Sequence, residues 1–218
     1  VPVLGSGLFP TIGILAALRA RDAGAGGQRV ETSLFESALA LSVWESIEYW
    51  TSGVSPKPIG SANRMAAPYQ ALRAADGYLV VGANNAKLWH SLLGALDLAH
   101  LADDARFLTN TGRMTHREEL TAALESRLEA DSVDNWVALL LSAGVPAGPI
   151  RDIGYVLEED PHVRARGMVA EFDHPVAGPT KVLNSPIHLS QTPTTIRLSP
   201  PLLGEHDTTL LDRPGGTA

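Results

Sequence analysis

With 218 residues, 44% of them hydrophobic, the chain is long enough to bury a core of its own. A net charge of −7 and a pI near 5.4 argue against nucleic acid as a partner, because phosphate backbones are bound mainly through Lys and Arg, but they leave room for a small phosphorylated ligand on a local basic patch. The absence of cysteine excludes disulfides and Cys-type zinc sites and fits a cytoplasmic setting.

The chain opens at full apolar density and without a methionine. Ile12, Ile14, Leu15 and Leu18 recur at helical spacing and predict a helix over residues 8–22, with Pro10 tolerable only in its first turn. Gly24, Gly26 and Gly27 stop it, and residues 28–32 read as a short strand. Ser33 and Glu36 then stand at capping-box spacing and start a second helix that runs from Leu34 to Thr51. Helix, glycine turn, strand and helix make a slice of an α/β layer with no preceding strands to cover, so the chain reads as the back part of a larger protein. The run Leu8 to Leu18 is far short of the ~20 residues that span a bilayer, and its Arg19 and Arg21 follow it, unlike those of a signal peptide; neither export nor a membrane span is expected.

The stretch SGVSPKPIGSANRMAAP concentrates prolines and glycines and marks a boundary between two bodies. Beyond it, YQALRAADGYLVVGANN predicts two strands joined by a tight turn at Asp76-Gly77. A helix starts at Ala86 with Leu88, Leu92, Leu93 and Leu96 on one face, followed by a polar loop, ADDARFLTNTGRMTHR. Amphipathic helices are expected over 118–128 and 133–142, and AGVPAGPI is a rigid extended link that ends the second of them at Gly144. Short helices over 153–158 and 161–166, paired strands over 168–172 and 180–183, and a last short helix over 205–211 complete an α+β pattern.

Few of these residues suggest chemistry by themselves. The histidines at 90, 100, 116, 162, 174, 188 and 206 lack the spacing of a helical metal site and read as surface or capping residues. There is no G-x-S-x-G, no P-loop and no complete G-x-G-x-x-G. Gly5-Ser6-Gly7 before a helix has two readings, an anion-binding turn or a glycine entry that lets the helix pack closely. Asp103-Asp104 and Glu158-Glu159-Asp160 read as solvated charge, Asn84-Asn85 as a capping signal, and Trp44, Trp50, Trp89 and Trp136 as core residues.

The order of segments is more informative. GILAALRARDAGAGGQRVETSLFESAL, GSANRMAAPYQALRAADGYLVV, NNAKLWHSLLGAL, RFLTNTGRMTHREEL, AGVPAGPI, RGMVAEFDHPVAGP and LLGEH occur in register with the C-terminal half of the family III coenzyme A transferases. The chain resembles this CaiB/BaiF group, which includes formyl-CoA and carnitine CoA-transferases and α-methylacyl-CoA racemases. The resemblance implies α/β architecture with an α+β small domain. Residues 1–52 would be the end of a Rossmann-like large domain, 53–68 a linker and active-site-covering loop, 69–192 the small domain and 193–218 a returning tail. It also implies an interlocked pair of chains, either a homodimer or a heteromer with a homologous chain.

The implied reaction moves CoA from an acyl-CoA donor to a carboxylic acid acceptor, with coenzyme A as substrate and no permanently bound cofactor. An aspartate attacks the thioester, giving a mixed anhydride and CoA thiolate; in the racemases the corresponding aspartate works with a histidine to move an α-proton. In the transferase register that position is Val3, and in the racemase register Pro2, so neither is a carboxylate. In the formyl-CoA transferases a glycine-rich loop covers the active site. GSANRMAAPY, from Gly60 to Tyr69, occupies that stretch here; Gly60, Ala62 and Pro68 fit it, and Ser61, Asn63, Arg64, Met65 and Ala66 replace its glycines. Arg64 has two readings, a planar fork for a substrate carboxylate or CoA phosphate and a solvated linker arginine. Three functions follow: a CoA-transferase lacking its first half, a non-catalytic subunit that pairs with an active chain, and an acyl-CoA racemase of the same fold. The chain alone is expected to be inactive.

Overall fold

In the computed structural model residues 2–206 are described, and they divide into two units, one up to Arg64 and one from Met65 on. The first contains α1 (Pro2–Ala20), which continues through a wider turn at Arg21–Ala25, then α2 (Leu34–Leu41) and α3 (Val43–Ser52). The second contains β1 (Tyr69–Arg73), β2 (Tyr78–Gly82), α4 (Ala86–Ala95), a 3₁₀ turn (Ala99–Asp103), α5 (Asn110–Thr115), α6 (Arg117–Leu128) and α7 (Val133–Ser142). It continues with β3 (Ala147–Pro149), α8 (Ile153–Glu158), α9 (Pro161–Ala165), β4 (Val169–His174) and β5 (Gly178–Leu183).

In the first unit α1 begins six residues before the expected start, so Pro10 lies in the helix interior and leaves the Ser6 carbonyl without its i+4 amide donor. The helix ends at Gly24, whose φ of 94° suits a residue without Cβ. Residues 28–32 form no strand, because a strand needs a ladder partner and none of the described residues supplies one. The Ser33 cap does form: the Glu36 N–H donates to Ser33 Oγ at 3.1 Å, and the Ser33 hydroxyl donates to the Glu36 carboxylate at 2.6 Å. The expected single helix over 34–51 breaks at Ser42 (φ −90°, ψ 40°) into α2 and α3. α1 and α2 meet at Gly5, where a Cβ would stand 2.9 Å from Leu41 Cδ1. Most apolar side chains of this unit stay exposed, among them Leu4, Phe35 and Trp50. The helical run Pro2–Ala25 is longer than the stretch Leu8 to Leu18 and is, by length and composition, long and apolar enough to cross a membrane. Core helices of water-soluble proteins and signal sequences meet the same measure.

The second unit buries a continuous core. Leu72 of β1 faces Leu79 of β2 and Gln70 faces Val81, so alternate residues point inward as a half-buried hairpin requires. Against that face pack Trp89, Leu92 and Leu93 of α4, Leu120, Leu124 and Leu128 of α6, and Trp136 and Leu140 of α7. Each fully buried leucine contributes ~1.5–3 kcal/mol.

Side chains link the core elements. Asp76 in the hairpin turn accepts the Val133 N–H at 2.8 Å, capping α7, and the Glu125 carboxylate accepts the edge amide of Arg73 at 2.9 Å. The expected extended link after Gly144 (φ 74°) is in fact a third strand, β3, antiparallel to β2 with Val81 opposite Ala147. The polar stretch 102–117, expected as a loop, holds α5, while β4 and β5 form a separate two-stranded sheet. Of the expected helix over 205–211, all but its first two residues lie outside the described residues.

Candidate functional site

Val3 stands in the first turn of α1, 72% exposed, and no acidic residue occupies that turn. The first carboxylate along the chain, Asp22, is already paired with Arg21 at 2.9 Å. Gly5-Ser6-Gly7 lies within α1 rather than before it. Gly5 serves close packing on α2, while the Ser6 hydroxyl donates to the Val3 carbonyl at 2.9 Å.

The covering-loop residues fall on both sides of the boundary between the units. In the first unit Gly60 takes φ 63°, which Gly alone adopts without strain, and the Ala62 N–H closes a turn onto the Ile59 carbonyl at 3.2 Å. Ser61 lies inside the turn and Asn63 follows it. The Arg64 side chain, 21% exposed, is held by three hydrogen bonds rather than left as a solvated linker arginine. Its Nη1 donates to Glu48 at 2.9 Å, Nε to Glu45 at 3.2 Å and Nη2 to the Lys57 carbonyl at 3.0 Å. Both glutamates come from one face of α3, at i and i+3. A cavity of about 490 Å³ opens between α3 and this loop, bordered by Trp44, Glu45, Pro58, Gly60, Asn63 and Arg64. Two carboxylates against one guanidinium offset its charge at the cavity wall.

In the second unit Met65 is exposed, Ala66, Ala67 and Pro68 are buried, and Tyr69 begins β1 with its ring over Gly82, where a Cβ would stand 3.5 Å from the ring. Tyr69, Val80, Gly82, Asn84, Pro146 and Gly148 border a second cavity, of about 310 Å³.

Two residues of this region were missed from sequence. Asn110 and Arg113 stand one turn apart on α5 and grip the backbone at Met65 and Ala67. Their signal was Thr109-x-x-Gly112: Thr109 Oγ1 caps α5 through the Gly112 N–H at 3.0 Å, and a Cβ on Gly112 would stand 2.5 Å from the Arg106 carbonyl.

The other candidates have ordinary structural roles. Asp104 is bound by Arg106 at 2.7 Å, which holds its carboxyl down at about 2; Glu158 pairs with Lys181 at 3.2 Å, and Asp160 caps α9. His116 meets Glu119, and His90 meets the Ala86 carbonyl. Among the described residues no three His, Asp or Glu side chains converge as a metal site would require. Asn85 caps α4 through the Leu88 N–H at 2.9 Å. Trp89 and Trp136 are core residues, 2% and 3% exposed; Trp44 and Trp50, at 61% and 75%, are not, because the first unit has no layer of its own to cover them.

Residues 3–207 match the family model described as CoA-transferase family III, nearly the whole length of the chain. The chain belongs to that family. It is 36% identical over 214 residues to an acyl-CoA transferase of Fusarium pseudograminearum, an alignment covering 97% of this chain and 47% of that protein. The human succinyl-CoA:glutarate CoA-transferase is 33% identical over 208 residues, covering 95% of this chain and 47% of the human one. Among solved structures, a CaiB/BaiF family protein from Brucella suis superposes with a TM-score of 0.76 at 35% identity, covering 94% of this chain and 53% of its own. The chain thus spans about half the length of the family III relatives it matches. Its mixed α/β architecture with small sheets is that of the family, and the match runs through α1, so this apolar helix is family III sequence.

Proposed function

We propose that the chain forms one half of a family III CoA-transferase, which passes CoA from an acyl-CoA to a small dicarboxylic acid, and that it does so only together with the half of the fold that its relatives possess and this sequence does not span. The observation that carries the transfer chemistry is the match over residues 3–207, supported by relatives named for transfer from succinyl-CoA to glutarate and to mesaconate. Those acceptors are small dicarboxylic acids, hence the proposed acceptor class. The need for the remaining half of the fold rests on Val3: a valine side chain has no lone pair with which to attack a thioester, so the acyl anhydride would form on a carboxylate contributed from outside these residues.

In this reading residues 1–52 complete the large domain, 53–68 link and cover the site, 69–192 form the small domain and 193–218 return to the large one. Coenzyme A passes through as substrate rather than resident cofactor. The exposed apolar side chains of α1–α3 are covered by the other half or by an interlocked homologous chain, and the assembly works in the cytoplasm. Val3 equally favours a second reading, a non-catalytic subunit that shapes a site whose chemistry is done by a homologous chain.

The test is transfer from succinyl-CoA to glutarate, followed by chromatography of both thioesters, with the chain alone and with the other half of the Fusarium relative. The expected result is no turnover alone and turnover in the pair. Turnover by the chain alone would contradict the proposal, and assembly without turnover would select the non-catalytic reading.

A further inference from the structure

The segment RFLTNTGRMTHREEL has no part in the function described so far, yet its helix α5 holds a buried arginine in a place where packing alone would favour an apolar residue. Arg113 is 3% exposed. Its Nε donates to the Ala67 carbonyl at 2.7 Å and its Nη1 to the Phe107 carbonyl at 2.9 Å, while its guanidinium carbon lies 4.9 Å from the centre of the Trp89 ring. The groups that meet it in these contacts are carbonyl oxygens and an indole face, and burial lowers its pKa. Placing a charge there is costly, and the return is a planar fork of donors aimed at backbone carbonyls.

One turn earlier, Asn110 uses both ends of its amide on the same segment. Its Oδ1 accepts the Ala67 N–H at 3.1 Å, and its Nδ2 donates to the Met65 carbonyl at 2.8 Å. Together the two side chains satisfy both polar groups of the Ala67 backbone and one of Met65. Ala66 and Ala67, whose methyls are buried at 7% and 0% exposure, offer nothing else by which this stretch could be held in a polar grip.

From this arrangement we propose that Asn110 and Arg113 are positioning residues that fix the exit of the substrate-covering loop at Met65–Ala67. The proposal rests on the reading of residues 60–69 as that loop. With its exit fixed, the loop leaves the small domain from a defined point, and a loop so seated excludes water from the acyl group. A loosened loop admits water, which attacks either the thioester carbonyl, releasing free acid and CoA thiol, or the anhydride carbonyl, releasing free acid and the attacking carboxylate after CoA has already departed; transfer then gives way to hydrolysis.

The experiment compares wild type, Asn110→Ala and Asn110→Asp, with Arg113→Lys as a fourth variant, by amide hydrogen exchange on the full chain. Asn110→Ala is expected to speed exchange at the Ala67 amide at least tenfold while Leu72, Leu79 and Val81 stay protected. Asn110→Asp, which keeps the acceptor, is expected to preserve most of that protection. Unchanged exchange at Ala67, or equal loosening of the hairpin, would overturn the anchor. The second readout, in the two-part transfer assay, is the ratio of succinyl-CoA hydrolysis to transfer, expected to rise about tenfold in Asn110→Ala; an unchanged ratio in a variant with released Ala67 would overturn its role in the reaction. Absence of transfer by wild type would contradict the proposed function instead, and the exchange data would still decide the anchor.

Discussion

Arg113 stacks its guanidinium on the buried face of Trp89, 4.9 Å from the ring centre, so a cation on α5 is built into the core that α4 forms with the β1–β2 hairpin. Replacing it with methionine keeps the stem but removes the stack and leaves the Ala67 and Phe107 carbonyls without their donor. Arg113→Met is expected to destabilise the chain by about 3 kcal/mol, lowering the urea midpoint by about 1 M or more. Arg113→Lys, which keeps the charge and loses the fork, should fall between the two; a midpoint for Arg113→Met equal to wild type would show that the carbonyls find other donors.

The two classes of tryptophan should respond oppositely. Trp136 donates its indole N–H to the Leu128 carbonyl at 2.7 Å and lies 4.8 Å from the Arg127 guanidinium. Trp136→Phe is therefore expected to cost about 2 kcal/mol, whereas Trp50→Ala, at a side chain 75% exposed, should stay within about 0.5 kcal/mol in the isolated chain. Equilibrium unfolding of both variants checks the contrast.

Glycines separate in the same way. At Gly112 a Cβ meets the Arg106 carbonyl at 2.5 Å, a backbone atom that cannot step aside, so Gly112→Ala should cost about 2 kcal/mol or more and loosen α5. At Gly7, inside α1, nothing lies within 4 Å of a Cβ. Gly7→Ala should therefore stabilise the helix by about 0.5–1 kcal/mol, read as a higher midpoint and greater helical ellipticity.

The surface carboxylates set an acid limit. Arg106 binds Asp104 through its side chain and its own backbone N–H and holds the carboxyl at about 2, below the ordinary 3.8. Asp131, bonded by Asn135 and the Ser132 N–H, is shifted the same way, as is Glu119, through its own backbone N–H and His116. A folded value below the unfolded one means that the stabilising contribution is complete above about pH 4 and is lost as pH falls through about 2. Carboxyl NMR should show Asp104 titrating near 2, with Arg106→Ala returning it upward; a wild-type midpoint near 3.8 would contradict the pairing.

Much of the second unit was legible because its signals are local. Asp76-Gly77 marks the hairpin, Asn85 caps α4, and α7 and α8 fall on the expected residues. What escaped depends on partners. β3 is three residues bounded by prolines, readable as a strand only once β2 lies beside it. α5 contributes a buried arginine and a gripping asparagine rather than an apolar stripe, so its periodicity is invisible. In the first unit the strand expected over 28–32 lacks a neighbour among the described residues, and Trp44 and Trp50, which look like core residues in helical patterns among leucines, stand exposed. Arg64 was readable as a donor fork, but not its two glutamates, which lie 16 and 19 residues back.

The most direct measurement is calorimetric titration of coenzyme A into the chain, alone and together with the other half of a family III relative. No binding alone and saturable binding by the pair is the result expected of a site built from both halves. Tight binding by the chain alone, or none by the pair, would contradict it.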